Sequence, residues 1–241
     1  MKISVVVPAY NEEKLLPTTL QHIHAASGSF AALGWETDLV VCDNNSKDRT
    51  AALAREAGAT VVFEPINQIA RARNTGASAA TGDWLLFIDA DSKPSPELFA
   101  EVAQAIMSDK YLAGGSTLTF EGNYPVARWA VHSWNWLNRC LKYLAGSFIF
   151  CEEAVFHAIG GFNQELFASE EIELTRRLKK LCRHRGKSIV ILHRHPMLTS
   201  VRKLHLYTPR EHFGFLFRTV LRLGGPLKDP RQCFTWYDGR R

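Results

Sequence analysis
Blocks of apolar and polar residues alternate along the first ninety positions, and this alternation predicts most of the fold. Ile3 to Val7 is a β-branched run ending at Pro8, a buried strand. Asn11 stands where a helix cap would, with Glu12 and Glu13 in the first turn. That helix runs to about Ala26, with Pro17 tolerated only near its start. Asp38 to Cys42 is a second strand, ending at Asp43 and followed by the turn cluster Asn44-Asn45-Ser46-Lys47-Asp48. Thr50 to Ala57 is a short helix stopped by Gly58, and Thr60 to Phe63 a third strand. Ile69 to Ala80 is a helix stopped at Gly82, and Trp84 to Ile88 a fourth strand, apolar on both faces. Strand and helix in turn predict right-handed βαβ units and a parallel sheet.

After Asp91 the pattern loosens. Ser95 caps a helix through Met107, Gly115 to Phe120 reads as a strand, and Val126 to Leu144 as a helix. That helix carries Trp129, Trp134 and Trp136, an aromatic face that is either core or the wall of an acceptor groove; core is the favoured reading. Ser147 to Phe150 is strand-like, and Glu153 to Ile159 is a short helix ending at Gly160-Gly161. Ser169 caps a helix with Glu170, Glu171 and Glu173 in its first turn and Arg176 to Arg183 toward its end, an order that suits the helix dipole. Ser188 to Leu192 is the last clear strand, and Thr208 to Leu223 is basic, aromatic and amphipathic if helical.

The 46% hydrophobic content of the 241 residues fits one globular domain, alone or with an appendage. No stretch approaches the roughly 18 apolar residues of a membrane span, and the apolar run at Ile3 is too short for a signal peptide. The five cysteines show no metal-ligand spacing; Cys42, Cys140 and Cys151 sit among apolar residues and read as buried reduced thiols, favouring the cytoplasm. Charge is uneven. Residues 1–175 hold 12 Lys and Arg against 21 Asp and Glu, whereas residues 176–241 hold 17 against 3. A basic end on an acidic body suits an anionic partner, a membrane surface, a phosphorylated acceptor or nucleic acid, against the plainer reading of a solvated basic face; the inner surface of a membrane is the partner favoured, and no nucleic acid is expected.

Candidate chemistry centres on Asp89 and Asp91. Two carboxylates at the carboxyl end of a buried strand repel each other and lose hydration, and a hard divalent cation compensates both. A calcium-hand loop starting at Asp89 is excluded by Pro94 at its sixth position and Ala100 at its twelfth. The first two strands end in Pro8-Ala9-Tyr10-Asn11-Glu12 and in Asp43, so a parallel sheet would bring these groups to one edge, where nucleotides bind. There is no G-x-G-x-x-G after the first strand and no P-loop, which removes the main support for dinucleotide oxidoreductases and P-loop enzymes.

Four segments in order, Val5–Glu13, Val41–Thr50, Ala72–Gly76 and Phe87–Asp91, resemble the family 2 glycosyltransferases of GT-A fold, over about residues 1–195. The resemblance implies an α/β fold with a mostly parallel central sheet flanked by helices, and an inverting, metal-dependent transfer from a nucleotide sugar, UDP-linked first, to a hydroxyl acceptor. Pro8, Ala9, Tyr10, Glu12, Asp43 and Asp89 would hold the nucleotide, bordered by Arg71 or Arg73. Asp91, with Asp89, would bind Mn2+ or Mg2+, completed by His193 or His195 after the last strand. Glu171, where the family commonly has Asp, or else Glu170, would be the base, and Arg202 and Lys203 would contact the diphosphate. Residues 1–205 would form one catalytic domain, with a nucleotide half at 1–91 and an acceptor half at 92–205, and 206–241 a basic helical tail. The competing reading is a catalytically silent module that binds a nucleotide sugar or a membrane surface. A nucleotidyltransferase lacks its Gly-rich signature here, and an Asp-x-Asp phosphatase would carry its motif on the first strand.

Overall fold
The computed structural model describes residues 1–120, 125–144, 146–200, 225–228 and 233, with the backbone alone at 125–130, 134, 225 and 226. Its strands are β1 (Lys2–Ala9), β2 (Glu36–Asp43), β3 (Thr60–Phe63), β4 (Trp84–Ile88), β5 (Ser92–Lys93), β6 (Tyr111–Phe120), β7 (Phe148–Glu152) and β8 (Ser188–Thr199). Its helices are α1 (Leu16–Ala31), α2 (Thr50–Glu56), α3 (Ile69–Ala79), α4 (Pro96–Met107), α5 (Pro125–Leu141), α6 (Glu153–Ala158) and α7 (Glu170–His184), and a 3-10 turn spans Gly225–Lys228.

The strands form one sheet in the order β3-β2-β1-β4-β7-β6-β8-β5. The first half is parallel, as its βαβ pattern requires: β1 pairs with β2 and β4, and β2 with β3. The register sets Ala9 beside Asp43 and Val6 beside Phe87, so β1, β2 and β4 end at one edge. The second half makes the sheet mixed. β7 runs antiparallel to both β4 and β6, β8 is parallel to β6, and β5 is antiparallel to β8.

Alternation along the strands divides the core between two layers. Ile3, Val5, Val7, Leu86 and Ile88 meet Leu16, Leu20 and Phe30 of α1 and Phe99 of α4. Val6, Leu85 and Phe87 meet Phe156 of α6, Phe162, and Leu174 and Leu178 of α7. Layers as thick as these need close backbone approaches. A Cβ on Gly76 of α3 would lie 2.5 Å from Val6 Cγ1, and one on Gly114 of β6 would lie 2.3 Å from Phe150 Cζ.

Several expectations are corrected. Helix α1 begins at Leu16, not after an Asn11 cap, and extends to Ala31. The Asn11, Glu12 and Glu13 amides instead donate to Ser46 Oγ, Thr50 Oγ1 and Asp48 Oδ2, so the loop after β2 holds this stretch outside the helix. Ser169 takes a left-handed conformation (φ +62°) and its side chain does not cap α7. The last strand does not stop at Leu192 but continues to Thr199. Cys42 and Cys151 are buried, with thiols pushed up by burial, Cys42 to about 12; Cys140 is exposed. Trp136 is exposed rather than core. The Trp129 and Trp134 side chains and the helix expected over 208–223 lie outside the described residues.

Candidate active site
The strand tips build the site from both sides of β1. Pro8 and Ala9 are buried, Glu12 is buried just beyond them, and Tyr10 is half-buried. Asp43, at the end of β2, accepts from the Ser46 amide at 3.0 Å through Oδ1. Asn44 ties this tip to the next loop. Its Nδ2 donates to the carbonyls of Glu64 (3.2 Å) and Ile66 (2.6 Å), and its Oδ1 accepts from the Gln68 amide at 2.9 Å.

Helix α3 carries the two arginines left open by the sequence, and their positions on the helix separate them. Arg71 is half-buried and donates from Nε to Gln68 Oε1 at 3.0 Å. Arg73, two residues on, points inward and is 1% exposed. It donates to Glu170 Oε1 at 2.6 Å, Asp89 Oδ1 at 2.9 Å and the Gly146 carbonyl at 2.7 Å, and lies 5.1 Å from the centre of the Phe162 ring. Burial alone would lower its pKa; the carboxylates of Asp89, Glu170 and Glu171 more than offset this and raise it.

Glu170 and Glu171 open α7 but differ in their surroundings. Glu170 is buried on Arg73. Glu171 is half-buried beside Gly146: a Cβ at Gly146 would sit 3.1 Å from Arg73 Nη2 and 3.7 Å from Glu171 Cδ. Burial, reinforced by the Glu170 charge and partly opposed by Arg73, pushes the Glu171 carboxyl up to about 8.

Asp91 is reached from the far side of the sheet. β5 and β8 pair Ser92 with Thr199, and this brings Ser200 against Asp91. The Ser200 amide donates to the Asp91 carbonyl and its hydroxyl to Asp91 Oδ2, both at 3.2 Å. One guanidinium therefore faces Asp89, Glu170 and Glu171, with Asp91 two residues away. This excess of carboxylate oxygen suits a hard divalent cation. Among the described residues no three His, Cys, Asp or Glu side chains surround one point, so such an ion would be held by one or two carboxylates, with water and phosphate completing its shell.

The two histidines lie within the last strand rather than after it. Because β8 continues to Thr199, His193 and His195 lie inside the strand, at a register irregularity against β6, and both are exposed. His195 Nδ1 lies 2.6 Å from Glu101 Oε1 on α4. Among the described residues neither histidine joins Asp89 and Asp91 in a group of three ligand-type side chains. Arg202 and Lys203 lie outside the described residues. Sequence reasoning missed Gly146, whose contribution is a carbonyl, and Ser200, which only strand pairing delivers. It also missed Gln68, whose Nε2 donates to the Gln164 and Leu166 carbonyls at 2.8 Å each, anchoring the loop before α7 to α3.

Comparison with known proteins identifies the family and the fold. Dolichol-phosphate mannosyltransferase of Pyrococcus furiosus is 31% identical over 139 residues, 53% of this chain and 37% of that protein. The chain spans about a quarter to about half of the length of the curated relatives it matches. Among solved structures, a mannosyltransferase from Pyrobaculum calidifontis in complex with GDP-Man and Mn2+ superposes with a TM-score of 0.67 at 19% identity, over 88% of this chain and 59% of that one. S. aureus TarS in complex with UDP-GlcNAc gives 0.64 at 20% identity, over 98% and 69%. At these identities the likeness is one of fold, the GT-A fold. The sequence model described as glycosyl transferase family 2 matches residues 4–164, and the chain belongs to that family.

Proposed function
We propose that the protein is an inverting, metal-dependent glycosyltransferase that moves a sugar from a nucleotide-diphosphate sugar, UDP-linked first, to a hydroxyl acceptor. The observation that carries this reading is the half-buried Glu171 carboxyl beside the Asp89–Arg73–Glu170 cluster. Arg73 engages Glu170, which favours Glu171 as the base. A carboxylate whose pKa is pushed up to about 8 takes a proton readily near neutrality. The acceptor hydroxyl would pass its proton to Glu171 as its oxygen bonds to the anomeric carbon. The bond from that carbon to the diphosphate oxygen breaks on the opposite face, inverting the centre, and Glu171 then returns the proton to solvent. Mn2+ or Mg2+ held by Asp91, with Asp89 beside it, would supply charge stabilisation to the departing diphosphate.

Pro8, Ala9, Tyr10, Glu12 and Asp43 are the proposed nucleoside contacts, with Arg71 at the rim. Arg202 and Lys203, two and three residues beyond Ser200, are the proposed diphosphate contacts. We take residues 1–205 as the catalytic unit and 206–241 as a basic appendage. The acceptor we favour is lipid-linked, presented at the inner face of a membrane. The name of the mannosyltransferase relative and the basic composition of residues 176–241 support it. Among the described residues no helix is long and apolar enough to cross a membrane; the contact we propose is peripheral.

The test is calorimetry of UDP and GDP, with and without Mn2+, on the parent protein and on Asp91→Ala. Metal-dependent UDP binding that Asp91→Ala abolishes is the expected result. A preference for GDP would change the donor class and keep the mechanism. Folded protein that binds neither would overturn the reading, and binding without turnover would leave a nucleotide-sugar binding module.

A further inference from the structure
Over its described side chains, residues 131–133 and 135–141, helix α5 turns amides inward and large apolar groups outward. Its polar side faces the protein: Asn135 Nδ2 donates to the Leu118 carbonyl at 2.8 Å, Asn135 Oδ1 accepts from the Leu118 amide at 3.0 Å, and Asn138, one turn on, is 1% exposed. Its apolar side faces outward: Trp136 is 67% exposed, Leu137 39% and Leu141 47%. Leu137 and Leu141, four residues apart, share one face, and Trp136 lies about 100° round the helix from Leu137, so the three cover a broad outward arc. A helix on a globular protein normally buries such a stripe and leaves its amides wet. Here hydrogen bonding fixes the orientation. β7 begins only at Phe148, and beyond it the Asn135 amide satisfies the edge of β6 as a neighbouring strand would.

The rim of this stripe is cationic. Arg139 and Lys142 are exposed beside it. Lys179 of α7 donates to the Leu141 carbonyl and sits 4.0 Å over the Tyr143 ring. Burial, together with repulsion from Arg183 and Lys142, lowers the Lys179 pKa, which marks these cations as near neighbours. An exposed Trp-Leu stripe bordered by Lys and Arg has the chemistry of a bilayer interface: indole at headgroup level, leucines at the acyl boundary, cations on lipid phosphates. A second copy of the chain suits it less, because a two-fold contact would bring the two cationic rims together.

We propose that the outward face of α5, with Trp136, Leu137 and Leu141 rimmed by Arg139, Lys142 and Lys179, is a docking surface for an anionic phospholipid bilayer. The surface deepens the lipid-linked acceptor reading and rests on it only for the acceptor. Leu141 accepts from Lys179, on the same helix whose first residues are Glu170 and Glu171, so a bilayer seated there would lie on the α7 side of the molecule.

The test is flotation of the full chain with vesicles of phosphatidylcholine alone and of phosphatidylcholine mixed with phosphatidylglycerol, at low salt. The parent is expected to float with the anionic vesicles and not with the neutral ones. Trp136→Glu, Leu141→Glu and Lys142→Glu are each expected to weaken this by about tenfold. UDP calorimetry on the same variants should be unchanged, which also shows that they fold. No flotation of the parent overturns the docking surface, and so does flotation that the variants leave intact. Sedimentation showing a dimer that Trp136→Glu dissociates would assign the stripe to a second copy. Loss of nucleotide binding in the parent would count against the glycosyltransferase reading alone.

Discussion

Arg73 and Glu170, 97 positions apart, meet at 2.6 Å with side chains 1% and 5% exposed. The same guanidinium holds Asp89, so one buried cation joins α3, the tip of β4 and the start of α7. Arg73→Ala leaves two carboxylates in a poorly hydrated site without their counter-charge. It should cost about 3–5 kcal/mol in chemical denaturation. Arg73→Lys keeps the charge but loses the fork that reaches Glu170, Asp89 and the Gly146 carbonyl together, and should recover only part of the loss. If Arg73→Ala unfolds at the parent's denaturant midpoint, the cation does not hold these elements together.

Glu171 links stability to pH in a direction that its chemistry fixes. Its carboxyl titrates at 4.5 in an ordinary environment and is pushed up to about 8 in the fold. Between those values the folded protein retains a proton that the unfolded chain has released. The stability this provides is complete below about pH 4.5 and is lost as pH rises through about 8. Glu171→Gln should therefore match the parent at low pH and exceed it at about pH 9, by roughly 2 kcal/mol after allowing for partial exposure. Turnover should move the other way: kcat/KM of the parent rises with pH toward the Glu171 pKa, and Glu171→Gln removes most of the activity at every pH. A variant that gains no stability at high pH would show that Glu171 is not held in a raised state.

The histidines of β8 provide a separate check on the metal ligands. His193 and His195 are exposed within the strand, and His195 lies against Glu101. His193→Ala and His195→Ala should leave the Mn2+ dependence of UDP binding unchanged, whereas Asp91→Ala abolishes it. A large loss of metal affinity in either histidine variant would mean that the strand end rearranges around a bound ion.

The parallel half of the sheet was legible because β1 and β4 are apolar on both faces and end in chemistry-bearing residues, Pro8–Glu12 and Asp89–Asp91. The resemblance put Glu171 ahead of Glu170 as base and left Arg71 and Arg73 open; which carboxylate the guanidinium reaches is information that only the fold supplies. The direction of β7 was hidden: Phe148–Glu152 reads the same parallel or antiparallel, and only its pairing with Ile88 and Gly115 decides. The start of α1 was hidden because the groups that hold Asn11 to Glu13 lie about 35 residues away. The aromatic side of α5 invited a core assignment because periodicity identifies a stripe without saying which side faces inward. Asn135 carries that information through strand-edge bonding, which no period reports.

Gly146 offers the sharpest separation of catalysis from folding. Its neighbours are the two groups on which the proposed chemistry depends, with a Cβ placed 3.1 Å from Arg73 Nη2 and 3.7 Å from Glu171 Cδ. Arg73 is held by three acceptors and cannot turn aside, so Gly146→Ala must displace the loop or the guanidinium by a few tenths of an ångström. A shift of that size between positioned groups should lower kcat by about tenfold. UDP affinity should change little, because the proposed nucleoside contacts lie at the tips of β1 and β2. Gly114→Ala provides the contrast. Its Cβ would press on Phe150 Cζ at 2.3 Å inside the core, away from Glu171, and should lower stability by about 1–3 kcal/mol. Steady-state kinetics and thermal melts on the two variants should therefore show opposite defects: slow turnover in a stable protein for Gly146→Ala, and near-normal turnover in a weakened one for Gly114→Ala. Equal loss of stability in both would place Gly146 among the packing glycines and remove it from the active site.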